Sequence, residues 1–165
     1  MNSMIKSAVL GLLLLGLAAC GNKDDGKGKQ EAAPVVLQVP TTTNDQDWKL
    51  YLSAVVKQNM KGVRSSPYMY YLPSATVEDF EDQYSRQLDN VMGVVMRTVT
   101  PGNMLAFGSP ESSRMADLVI EAFKESQPGS FKGVKVLLVG KSEDEQRVGE
   151  ALAASEAEFI FVPLD

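Results

Sequence analysis

The groups with which this chain can do chemistry are hydroxyls, carboxylates and a few cations, and they gather just after apolar runs. The richest stretch is Phe107-Gly108-Ser109-Pro110-Glu111-Ser112-Ser113-Arg114. A glycine followed by hydroxyls at a helix start can hold an anion on backbone N–H groups. Arg114 and Lys141 would add positive charge for a phosphate or carboxylate. The same residues also read as plain capping, with Ser109 as an N-cap and Glu111 complementing the helix dipole while repelling an incoming anion. Together Gly108, Ser109, Ser112, Arg114, Gly140, Lys141 and Ser142 form one candidate ligand-binding edge.

What is missing narrows the chemistry further. The chain has no histidine and one cysteine. That removes Ser-His-Asp and Cys-His catalysis and the commonest zinc ligand. A single cysteine makes no internal disulfide. Gly140-Lys141-Ser142 has the last residues of a phosphate-binding loop, but the first glycine would fall at Lys135, so the motif fails. No GxGxxG follows a strand and no GxSxG elbow exists, so neither a dinucleotide site nor a serine-hydrolase site is signalled. The acidic stretches Glu78-Asp79, Glu81-Asp82 and Glu143-Asp144-Glu145 sit at helix starts, where dipole and solvation account for them. Calcium-loop spacing with its central glycine is absent. No metal or cofactor is therefore expected, and no catalytic residue is assigned.

The elements that must position these groups alternate along the chain. Asn44 or Asp45 caps a first helix expected over Asp45 to Lys61, with Trp48, Leu52, Val55, Val56 and Met60 at helical spacing and Gly62 at the stop. Tyr68 to Leu72 is a first strand, closed by Pro73. Its tyrosines, with Trp48, read as half-buried core or as a recognition patch. Thr76 caps a second helix carrying Val77, Phe80, Tyr84, Leu88, Val91 and Val95, although 94–99 has the alternative of a strand. Met104 to Phe107 is strand two. Ser109 as cap and Pro110 at the first helical position open helix three, ended by Pro128-Gly129. Val134 to Val139 is the most apolar strand, as a central parallel strand requires. Ser142-Glu143-Asp144-Glu145 matches a capping box for helix four, and Phe159 to Val162 is the last strand before Pro163. Strict alternation without hairpins predicts an α/β fold: a single Rossmann-like domain of about four parallel strands with helices on both faces. A response-regulator receiver has a similar layout but needs an aspartate where this chain has Val139-Gly140.

The N-terminus reads differently. Lys6 precedes the apolar run Ala8 to Leu17, followed by small residues: a secretory signal layout, too short to span a bilayer. Leu17-Ala18-Ala19-Cys20-Gly21 resembles the lipobox of bacterial lipoproteins. The resemblance covers about twenty residues. It implies lipid on the Cys20 thiol, cleavage before it, and acylation of the new amine. Several acyl chains, at about 0.8 kcal/mol per buried CH₂, make a stable anchor. Gly21, where an aspartate would favour inner-membrane retention, implies the periplasmic face of the outer membrane.

Three segments are thus expected: a signal over 1–19, the lipidated Cys20 with a flexible tether over 20–44, and a periplasmic α/β domain over 45–165. The tether is rich in Gly, Lys, Asp and Pro. Val35-Val36-Leu37-Gln38-Val39 interrupts it, as linker, as an added edge strand, or as a strand offered to a partner. Net charge is −5, and from Asp45 onward 18 acidic residues face 12 basic ones. That excess argues against a nucleic-acid partner and against lying on anionic lipid through charge alone, and it fits a basic protein partner. The function expected is that of a lipid-anchored binding or interaction protein, immunity-type or accessory to an envelope machine. The alternative is a periplasmic phosphoester or cell-wall hydrolase combining Ser109, Ser112, Lys141 and Asp144 or Asp165, which requires a cleft where they converge.

Overall fold

The computed structural model describes residues 37–97 and 99–165. The expected signal, Cys20 and most of the tether lie outside them. Helix α1, Asp45–Gln58, begins where Asn44 Oδ1 accepts hydrogen bonds from the amides of Gln46 (2.9 Å) and Asp47 (3.1 Å). It buries Trp48, Tyr51, Leu52, Val55 and Val56, one stripe at helical spacing. It ends three residues before Lys61, because the Asn59 amide and side chain turn back onto Val56 O and Val55 O. Gly62 then takes a left-handed φ of 83°.

Four parallel strands follow: β1 Tyr68–Tyr71, β2 Met104–Gly108, β3 Lys135–Gly140 and β4 Glu158–Pro163. Helices α2 Phe80–Val95, α3 Ser112–Phe123 and α4 Ser142–Leu152 connect them, α4 tightening into a 3₁₀ turn at Ala153–Ser155. The expected α/β layer is therefore present. The alternative strand over 94–99 is not: α2 runs through Val95, carried by Val91 and Val95 on the buried face. The Thr76 cap is displaced too, since Thr76 Oγ1 bonds Ser74 Oγ and the helix starts at Phe80. Helix α3 stops at Phe123, well before Pro128-Gly129.

Strand order is β1-β2-β3-β4, the order of the chain. Each right-handed crossover then lands on the same side. Alternate strand residues Tyr70, Leu105, Phe107, Val136 and Leu138 pack with α2, α3 and α4 in one core. The intervening residues Met104, Ala106, Leu137 and Val139 pack with α1 in the other. Helices do cover both faces, three against one.

The thinner face is completed by the residues before α1. Leu37 and Val39 are half-buried against the α1 core, and Trp48 Nε1 donates to Thr42 O at 2.8 Å. The folded unit thus begins N-terminal of Asp45, and 37–40 pack as an irregular strap rather than as a strand of the sheet. Of the aromatic group, Trp48 and Tyr70 are core, Tyr71 is half-buried and Tyr68 is exposed.

Tyr70, stacked on Phe107 with centroids 5.0 Å apart, has its pKa pushed up to about 12 by burial and by the neighbouring Tyr68. Burial and the hydrogen bond to Asp45 raise Tyr71 as well. Above the ordinary tyrosine value the unfolded chain releases protons that the folded chain keeps. Stability should therefore hold up to about pH 10 and then fall by at most about 1.4 kcal/mol per pH unit on account of Tyr70, whose ring is buried. Urea titrations between about pH 9 and about pH 12 test this, and Tyr70→Phe should flatten the slope.

Candidate functional site

All four helices begin at the carboxyl ends of the strands, so the hydroxyls and carboxylates singled out above come to one edge. Ligands in open α/β sheets settle where the strand order reverses and two loops part. Here the order never reverses. Adjacent loops close on each other, and the polar groups pair across the seams.

At the seam between β1 and β2, Gly108 ends β2. A Cβ there would lie 3.0 Å from Leu52 Cδ1, so the glycine serves close packing of α1 on the sheet. Ser109 is fully buried, and its Oγ accepts from the Glu111 amide at 2.9 Å. It makes a turn and does not cap the helix, which starts at Ser112. Glu111 Oε1 accepts from Ser74 Oγ (3.1 Å) and from the Ala75 amide (2.9 Å). The chain's own carboxylate thus occupies the donors of that loop.

At the seam between β2 and β3, Ser112 is 3% exposed. Its Oγ donates to Asp144 Oδ2 at 2.6 Å and accepts from the Lys141 amide at 2.7 Å. Gly140 makes room: a Cβ would meet that Oγ at 3.0 Å. Asp144 is 2% exposed, and its Oδ1 accepts from Arg147 Nε (3.0 Å) and a terminal guanidinium nitrogen (2.7 Å). Arg147 reaches on to Asp117 (2.6 Å) and Ser113 O (3.0 Å). Burial opposes the Arg147 charge, but the bonds to Asp117 and Asp144 outweigh it and hold its pKa above the ordinary value. One network therefore ties α3, α4 and the end of β3 together, through a residue that the sequence reading missed. The i, i+3 spacing of Asp144 and Arg147 was the available signal.

At the seam between β3 and β4, the Ser142 amide and Oγ donate to Asp165 Oδ1 at 3.1 and 2.7 Å. These bonds lower the Asp165 pKa. The capping box is not formed: Lys141 is the N-cap residue and makes no side-chain cap bond. Arg114 points elsewhere, to Glu81 Oε2 at 2.6 Å, with its guanidinium 4.3 Å from the Tyr84 ring centre. Its Nε is buried without a hydrogen-bond partner among the described residues. Lys141 is exposed.

The seven candidate residues share one edge but not one site. Ser109 belongs to the first seam, Ser112 and Gly140 to the second, Ser142 to the third, and Arg114 to the α2–α3 contact. A serine nucleophile must present its oxygen to substrate; Ser112 is buried, with its proton donated to Asp144 and one lone pair accepting from the Lys141 amide. Among the described residues, no group of three or more histidine, cysteine, aspartate or glutamate side chains is placed to hold a metal, and no helix is long and apolar enough to cross a membrane. Comparison of the chain with protein-family models, curated proteins and solved structures finds no match.

Proposed function

We propose that this protein is a lipid-anchored interaction protein of the bacterial envelope, held by Cys20 at the periplasmic face of the outer membrane, whose domain binds another protein. The observation that carries the binding half is the saturation of the strand-end edge. Its hydroxyls and carboxylates are joined to one another across three seams, with Ser112 and Asp144 buried. A rigid surface of this kind suits recognition. The hydrolase alternative needs convergence on open space, and its residues instead fall into separate seams.

The first turns of α1, α2 and α4 place Asp47, Asp82, Glu143 and Glu145 around the same edge, beside Asp45 and Glu81, which are paired with Lys49 and Arg114. An acidic rim of this density favours a basic partner and fast, salt-sensitive association. An immunity-type role and an accessory role in an envelope machine both fit that chemistry, with the partner arriving in the periplasm.

Two measurements test the reading. Cys20→Ser should abolish palmitate labelling, leave unprocessed precursor and change the membrane fractionation; a variant still cleaved and still membrane-bound removes the anchor. Crosslinking in cells should then give a discrete adduct that Glu143→Lys/Glu145→Lys loses. An adduct indifferent to that charge reversal, or turnover of a phosphoester by the purified protein, overturns the binding half.

A further inference from the structure

The amino ends of the strands carry the opposite charge. Parallel register sets Met104, Lys135 and Glu158 at one level. The loops entering β1, β2 and β3 interlock there: the Arg64 amide donates to Gly102 O and the Gly102 amide to Gly133 O, both at 2.8 Å. Lys57, Lys61, Arg64 and Arg97 are exposed at this end and form no ion pair among the described residues. Glu121, Glu156 and Glu158 are each already paired with a lysine, which leaves Glu125 and Glu150 without an ion pair among the described residues, Glu150 accepting a hydrogen bond from the Gln146 side chain. The net charge of −5 therefore conceals two poles.

The basic pole is also the apolar one. Four large hydrophobic side chains are exposed among the described residues, and two of them are here, Met96 at 78% and Tyr68 at 45%; Met69 lies one residue further along β1 and Leu50 lies in α1. Met96 and Arg97 border a groove of about 700 Å³ between the ends of α2 and α3. Cations interleaved with methionine and tyrosine suit an interface that is charged at its surface and greasy just beneath it.

We infer that this end is a docking surface for an anionic lipid bilayer, with the cations at headgroup level and Met96 and Tyr68 dipping below it. The inference rests on the proposed lipid anchor, which holds the domain near a bilayer and makes a weak patch sufficient. The anchor itself does not choose an end, because the 17 residues from Cys20 to Leu37 can extend to about 56 Å, more than the width of such a domain. Charge chooses: the acidic pole is repelled by anionic headgroups and turns toward the periplasm, where the proposed partner arrives.

The test uses the processed protein, reconstituted in phosphatidylcholine vesicles and in vesicles of phosphatidylcholine mixed with phosphatidylglycerol. Amide exchange at 61–64 and 99–103 should slow on the anionic vesicles alone, while 143–147 keeps its rate. Each cation near an anionic leaflet is worth roughly fivefold, so Lys61→Gln/Arg97→Gln should reduce the docked-to-free ratio roughly 25-fold. Arg86→Gln/Lys141→Gln makes the same change in net charge away from that pole and should leave the slowing intact. Equal rates on both vesicles, slowing at both poles, or equal loss in the two double variants overturns the inference, the first of these leaving the patch to an acidic protein. Flotation on neutral vesicles reads the anchor separately. Protein that floats there without slowed exchange on anionic vesicles has an anchor and no docking; protein that docks only on anionic vesicles and fails to float on neutral ones has docking and no anchor.

Discussion

Arg147→Met should lower the unfolding free energy by about 3–5 kcal/mol in a urea titration, the cost of leaving a buried charge uncompensated. Asp144 is 2% exposed and has two neighbours able to answer its charge, the Arg147 guanidinium and the Ser112 hydroxyl. Little of it is open to solvent. The hydroxyl alone supplies one hydrogen bond, worth far less than desolvating a carboxylate. Adding Asp144→Asn to Arg147→Met should recover a large part of the loss, because the amide needs no counterion. Asp144→Asn alone should cost less than Arg147→Met. The double-mutant cycle measures the coupling directly. A loss below about 1 kcal/mol for Arg147→Met would mean that Asp144 is answered by solvent, and the network would then be surface decoration.

Phe107→Ala should cost about 3–5 kcal/mol, the range for truncating a fully buried aromatic side chain. Phe107 is completely inaccessible and stacks on Tyr70 at an interplanar angle of 19°. It sits in β2, an inner strand of the sheet, inside the core shared by three helices. Small domains are stable by about 5–15 kcal/mol in total, so the variant should melt far below the parent or be unfolded at room temperature. Phe107→Leu should cost much less, since most of the volume is kept. Equal losses for the two substitutions would show that stacking on Tyr70, rather than volume, sets the cost.

The fold was legible because period and composition agree along the chain. Val136 to Val139 has no polar residue, which a strand covered on both faces requires. In α1, Trp48, Leu52, Val55 and Val56 repeat at the helical period and are buried. Strand order was not legible, because a crossover helix of the same sequence serves a neighbouring strand or a distant one equally well. The capping residues were misread for a related reason. Ser109 and Ser142 are good cap types by local rules, yet Ser142 bonds Asp165, 23 residues away, and Ser109 is drawn into a turn that Glu111 fastens to Ser74. Local propensity loses to a partner supplied by tertiary structure. Asp144 was visible as one more acid at a helix start, where the dipole explains it. Nothing in the spacing alone said that Ser112 and Lys141 would close over it.

The unreversed strand order has a consequence for how the chain assembles. Each strand pairs with the one made just before it, so every step of growth joins neighbours in sequence and leaves no gap for a later strand to fill. Each loop closure spans a single crossover, yet most contacts still join residues far apart in sequence, as a parallel sheet requires, so folding should be slower than that of a helical bundle of this size. A chain delivered amino-terminus first can add one helix and one strand at a time onto a finished edge. Only the last strand, β4, seals the exposed side of β3, and truncation before Glu158 would leave that apolar strand open to aggregation.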